Sequence, residues 1–136
     1  MPGDNKILLI EDSLTDGAIF KQVMRVSGLE NEVILVTSGE DALEYFKGAG
    51  RYADREAFPM PKVVFVDLVL AGDLSGYDVI PKLKEVAPNL IAVAVSQWDD
   101  AEAVRTAYSV GANCYISKPV RPGDLLNVAE HYKQFW

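Results

Sequence analysis

This 136-residue chain has one cysteine and one histidine. It has no uninterrupted apolar stretch near the ~18 residues a membrane span needs. Cys114 has no second cysteine to pair with, so an internal disulfide is excluded. Basic residues are scarce: 13 Lys and Arg stand against 20 Asp and Glu, a net charge of −7. That balance argues against a nucleic-acid or membrane-surface partner, because phosphate backbones are bound by an excess of Lys and Arg. No signal-peptide pattern opens the chain, and a cytoplasmic location is expected. No repeat, low-complexity tract or linker is visible. A single domain over residues 6–136 is therefore predicted, preceded by a disordered leader at residues 1–5.

What is present is an ordinary globular composition, 49% hydrophobic and 24% charged. Four short apolar runs each end in a reactive side chain. Ile7-Leu8-Leu9-Ile10 runs into Glu11-Asp12, and Val63-Val64-Phe65-Val66 into Asp67. Ala92-Val93-Ala94-Val95 ends in Ser96, and Cys114-Tyr115-Ile116-Ser117 in Lys118-Pro119. Val33-Ile34-Leu35-Val36 is a further strand. Between the runs lie stretches of helical period. Ile19, Phe20, Val23, Met24 and Val26 form an apolar stripe closed by Gly28. Ser38 caps a helix predicted over about 39–48. Others are expected near 77–86 and 99–110, and a last one from Pro122-Gly123-Asp124 to the C-terminus. Residues 51–61 form a long polar connection. Strict alternation of five strands and five helices predicts a doubly wound α/β fold, (βα)5 and flavodoxin-like, with a parallel sheet of order 2-1-3-4-5.

In such a sheet, ligands bind beyond the carboxyl ends of the strands, where these polar side chains lie. Glu11, Asp12 and Asp67 should converge there, since strands one and three are neighbours. Two carboxylates 4–5 Å apart repel by roughly 3–4 kcal/mol at an effective dielectric near 20. Three together call for a cation. Oxygen-only ligands select a hard ion, and Mg2+ suits a cleft that handles phosphate. Lys118 adds a compact positive charge and Ser96 a hydroxyl donor, which together equip a carboxylate for phosphoryl transfer. Each residue alone has a bland reading, as a solvated turn, a helix cap or an exposed lysine. Their coincidence at one sheet edge carries the reading. A glycine-rich turn after the first strand is missing, which argues against a nucleotide-binding domain. A phosphate-independent interaction module and an aspartate-nucleophile hydrolase stay open as rivals. The hydrolase is disfavoured because Val69 stands where a second acid is usual.

Glu11-Asp12, Asp67, Ser96, and Lys118-Pro119 with Tyr115 three residues before the lysine resemble the receiver domain of two-component response regulators. The resemblance implies that Asp67 accepts a phosphoryl group from a histidine kinase. Asp12, Asp67 and the main-chain carbonyl of Val69 would ligate Mg2+, with Glu11 acting through water. Ser96 and Tyr115 would follow the phosphoryl group as switch residues, and the bond before Pro119 would be cis. The segment from Gly50-Arg51-Tyr52 to Pro61, Asn113-Cys114-Tyr115, and the terminal Phe135-Trp136 look like the phytochrome-associated single-domain regulators. That likeness implies a phytochrome-type kinase as partner and output by protein contact, with no effector domain.

Two departures stand out. Residues 70–76, Leu-Ala-Gly-Asp-Leu-Ser-Gly, lack the family's proline and are one residue longer, so a more mobile loop is expected. Ser96 replaces the commoner threonine, keeping the hydroxyl. In the family it resembles, the positions of Val69 and Trp98 flank the path of the hydrolytic water. Neither side chain can orient that water as an acid or amide would, so a long-lived phospho-state is expected. The fourth helix carries two apolar stripes, Ala101-Val104-Tyr108 and Ala103-Ala107-Val110. One must face outward, and a homodimer or partner face built from helix four, strand five and helix five is expected.

Overall fold

The computed structural model describes residues 4–136. In chain order the elements are β1 (Ile7–Ile10), α1 (Leu14–Val26), β2 (Val33–Val36), α2 (Gly39–Lys47), and a 3-10 turn at Gly50–Tyr52. They continue with β3 (Val63–Asp67), α3 (Gly76–Val86), β4 (Ile91–Ser96), α4 (Ala101–Ser109), β5 (Cys114–Ser117) and α5 (Pro122–His131). The five strands form one parallel sheet of order β2-β1-β3-β4-β5, the expected doubly wound topology. Ser13, Ser38, Ser75 and Asp100 each accept a backbone N–H in the first turn of the helix that follows, which satisfies an otherwise orphaned donor.

Strand alternation divides the core into two layers. Leu8, Ile10, Val64, Val66, Ala92 and Ala94 pack on the side of α2, α3 and α4. Ile7, Leu9, Val63, Phe65, Val93 and Val95 pack on the side of α1 and α5. β3 and β4 are buried along their whole length, as apolar runs between two helical layers must be. Phe65 is fully buried, edge-on to Phe20 at 4.8 Å and to Trp136 at 5.9 Å between ring centroids. Truncating such a ring to alanine costs about 3–5 kcal/mol.

Three expectations are revised. The last helix stops at His131 and does not reach the end of the chain. Trp136 is 3% exposed against the sheet, and burying it requires the backbone to turn after Tyr132. In the predicted leader, residues 1–3 lie outside the described residues, but Asn5 is tied down. Its side chain donates to the Phe135 carbonyl at 3.1 Å, and its own carbonyl accepts from Asn31 at 2.8 Å. The polar-looking connection of residues 51–61 holds an aromatic cluster. Tyr52 meets Tyr45 in a tilted pair at 4.9 Å and Phe58 edge-on at 5.2 Å between ring centroids, and Arg55 donates to the carbonyls of Phe46 and Phe58. Among the described residues, no helix is long and apolar enough to cross a membrane.

Candidate functional site

The carboxyl edge of β1, β3, β4 and β5 gathers Glu11, Asp12, Asp67, Ser96 and Lys118. The parallel register explains the meeting. Ile10 pairs with Val66, so the residues following them, Glu11 and Asp67, lie side by side. Asp67 pairs with Val95, and Ser96 with Ser117, one residue before Lys118. Lys118 Nζ donates to Asp67 Oδ2 at 2.6 Å and to Glu11 Oε1 at 2.8 Å. Its third donor goes to Asp16 Oδ2, also at 2.8 Å. The Lys118–Pro119 bond is cis.

Asp67 is 6% exposed and Glu11 4%. A buried carboxylate persists only with compensating partners. For Asp67 they are Lys118 and the Val69 amide, which donates to Oδ1 at 2.9 Å. For Glu11 they are Lys118 and the Ser13 amide, which donates at 3.2 Å. Burial nonetheless pushes the Glu11 carboxyl up to about 7, against the lowering influence of Lys118 and Ser13. Burial acts to lower the Lys118 ammonium, but the hydrogen bonds it donates to Asp16, Asp67 and Glu11 outweigh it and hold the group above the ordinary lysine range.

Asp12 is exposed at the rim, where its carboxylate accepts from the Ala71 amide at 2.9 Å. That bond fastens the 70–76 loop, which Leu70 and the Ser75–Asp78 capping box anchor further. Glu11, Asp12 and Asp67 each offer an oxygen within 4.8 Å of the others. This set fits a hard divalent cation: all donors are oxygen, and their charge exceeds what one ammonium offsets.

Ser96 and Tyr115 lie toward α4. Ser96 is 1% exposed, and its hydroxyl accepts from the Trp98 amide at 3.0 Å. The Tyr115 hydroxyl donates to the Trp98 carbonyl, so both candidate switch residues hold the same short segment. Tyr115 is half-buried against the α2–α4 layer. The side chains of Val69 and Trp98 are 61% and 63% exposed beside the site. On α4, Ala107 is fully buried while Tyr108 is 48% exposed, so the Ala103-Ala107-Val110 stripe faces the sheet.

Sequence reasoning does not single out Asp16, which sits in the first turn of α1, where an acidic residue is ordinary. Its partner is 102 residues away in sequence. One signal could have found it. Strand alternation puts Glu11 and Asp67 on the same side of the sheet as α1, and the helix begins directly behind Glu11-Asp12.

A family model for the response regulator receiver domain matches residues 7–130. The chain belongs to that family. It is a receiver domain of two-component signalling. Response regulator Rcp1 of Synechocystis is 28% identical over 133 residues, covering 96% of this chain and 87% of Rcp1. The structure of Mn2+-bound Rcp1 is similar with a TM-score of 0.72 at 26% identity, covering 97% of this chain and 94% of that one. Response regulator RPA3017, described in red light signaling of R. palustris, gives a TM-score of 0.81 at 30% identity, covering 97% and 93% of the two chains. The phosphorylated cyanobacterial phytochrome response regulator RcpA gives 0.77 at 25%, covering 98% and 94%.

Proposed function

We propose that Asp67 of this receiver is a phospho-acceptor, charged by a histidine kinase, and that its phosphorylation switches a protein-interaction surface of a cytoplasmic protein. The observation that carries this is the convergence on one buried carboxylate of an ammonium at 2.6 Å and two further acids within metal-sharing distance. An Asp67 oxygen attacks the phosphorus of a phosphohistidine. The new O–P bond forms as the P–N bond breaks, and the released imidazole keeps the electron pair and takes up a proton. Lys118 stands ready to donate to a phosphoryl oxygen. Ser96 exchanges its bond with the Trp98 amide for one to another such oxygen, which frees the 97–100 segment to move with Tyr115.

Glu11, Asp12 and Asp67, with the Val69 carbonyl, would hold Mg2+. When bound, the ion supplies positive charge that offsets the phosphoryl oxygens. The names of RPA3017 and RcpA support a phytochrome-type kinase as the donor. The exposed Tyr108 on α4 and Leu126 on α5, 48% and 44% accessible, support α4–β5–α5 as the homodimer or partner face.

Incubation with Mg2+ and a small phosphodonor, read by intact mass, tests the assignment. Wild type is expected to gain one phosphoryl group and Asp67→Asn none. A wild type that gains nothing would leave the chain a phosphate-independent interaction module.

A further inference from the structure

Lys118 has three N–H donors, and three carboxylates use them: Glu11 and Asp16 at 2.8 Å and Asp67 at 2.6 Å. Two of the three, Glu11 and Asp67, also belong to the oxygen cluster suited to a divalent cation. Asp16 does not. It is the one partner of Lys118 with no competing duty in the cycle proposed above. When a cation draws Glu11 and a phosphoryl group occupies Asp67, two of the ammonium's three bonds must be exchanged.

The surroundings give Lys118 somewhere else to go. A cleft of about 310 Å3 opens beside it, walled by Ile19, Phe20, Pro119 and Val120, with Asp16, Asp67 and Lys118 all on its lining. A long flexible ammonium next to open volume points reliably at a reacting group only when something fixes it. Asp16 can do so from a rigid place. The amide of Asp16 donates to Ser13 Oγ in the first turn of α1, which sets the backbone that carries the carboxylate.

We propose that Asp16 is a positioning residue that holds the Lys118 ammonium beside Asp67 while Glu11 and Asp67 change partners. The proposal rests on the phospho-acceptor reading and deepens it. Asp16 touches no reacting atom; it acts only through Lys118.

A double-mutant cycle with Lys118→Ala tests this, because two groups that act as a unit are non-additive. The rate of phosphoryl uptake from a small phosphodonor at saturating Mg2+ is measured for wild type, Asp16→Asn, Lys118→Ala and the double variant. Asp16→Asn is expected to slow uptake about tenfold in the wild-type background and not at all on Lys118→Ala. Asp16→Glu, which keeps the charge, should recover most of the loss. A second readout needs no turnover. The Lys118 ammonium resonance in Mg2+-loaded protein should be protected from exchange in wild type and lost in Asp16→Asn.

Equal slowing in both backgrounds would mean that Asp16 merely supports the fold, and would overturn the proposal. So would uptake unchanged or faster in Asp16→Asn. If wild type itself takes up no phosphoryl group, the phospho-acceptor reading fails first. If wild type is modified and Asp16→Asn matches it, this inference alone fails.

Discussion

Lys118 and Asp67, 51 residues apart in sequence, meet at 2.6 Å at the carboxyl edge of the sheet. Their side chains are only 15% and 8% exposed. An ion pair this sheltered is costly to desolvate, and its charges are sustained by the bonds Lys118 donates to Glu11 and Asp16 and by the one Asp67 accepts from the Val69 amide. Stability alone is a weak reason to keep such a pair, since well-packed apolar residues often serve as well. A carboxylate held dry beside an ammonium and two more acids makes sense as a group kept ready to react.

Glu11 makes the stability of the metal-free protein depend on pH. Its carboxyl rises from an ordinary 4.5 to about 7 on folding, so the folded chain binds this proton more tightly than the unfolded one. The resulting stability is complete below about 4.5 and is lost as pH climbs through about 7. Chemical denaturation in a chelator should show wild type losing on the order of 1–3 kcal/mol between these limits relative to Glu11→Gln. Parallel pH curves for the two proteins would contradict the assignment.

Gly76 opens α3 against the back of the acceptor. A Cβ there would lie 2.4 Å from the Asp67 carbonyl oxygen and 2.7 Å from Leu68 Cα, and these are backbone atoms that cannot step aside cheaply. Gly76→Ala should destabilise the fold by about 1–3 kcal/mol, as overpacking does. It should also slow modification of Asp67, because the strand end must shift. A melting temperature equal to wild type would show that the segment yields freely.

Strand ends, sheet order and the acids of β1 and β3 were legible, because an apolar run that stops in a polar side chain has few placements in a parallel sheet. Ser38 was legible as a cap for the same local reason. Asp16 was not, because its role depends on where a lysine from β5 lands. Nor was the burial of Tyr52 and the partial burial of Phe58, since the polar residues around them mask two rings that meet Tyr45 only after folding. The early end of α5 follows from the burial of Trp136, a tertiary demand that helical periodicity does not register.

Tyr115 and Ser96 hold the segment at Trp98 from its carbonyl and amide sides. Trp98 is 63% exposed and Trp136 3%, so acrylamide quenches the fluorescence of the former selectively. Phosphorylation should change the quenching of Trp98 in wild type. Tyr115→Phe should shrink that change while costing only about 0.5–1.5 kcal/mol of stability, the net worth of one hydrogen bond. An undiminished response would remove Tyr115 from the switch.

Val69 and Trp98 present apolar side chains beside the acceptor, and neither carries an acid or amide that could orient an attacking water. The aspartyl phosphate should therefore last minutes or longer in Mg2+ buffer. Val69→Gln should shorten its half-life. Loss of the adduct within seconds in wild type would contradict this account of the site.

The central claim concerns a single oxygen of one residue. Borohydride trapping after phosphodonor treatment, followed by peptide mapping, addresses it most directly, because reduction of an acyl phosphate converts aspartate to homoserine. Homoserine is predicted at position 67 in wild type, dependent on Mg2+ and absent from Asp67→Asn. An unmodified position 67, or homoserine at Asp12 or Asp16 instead, would contradict it.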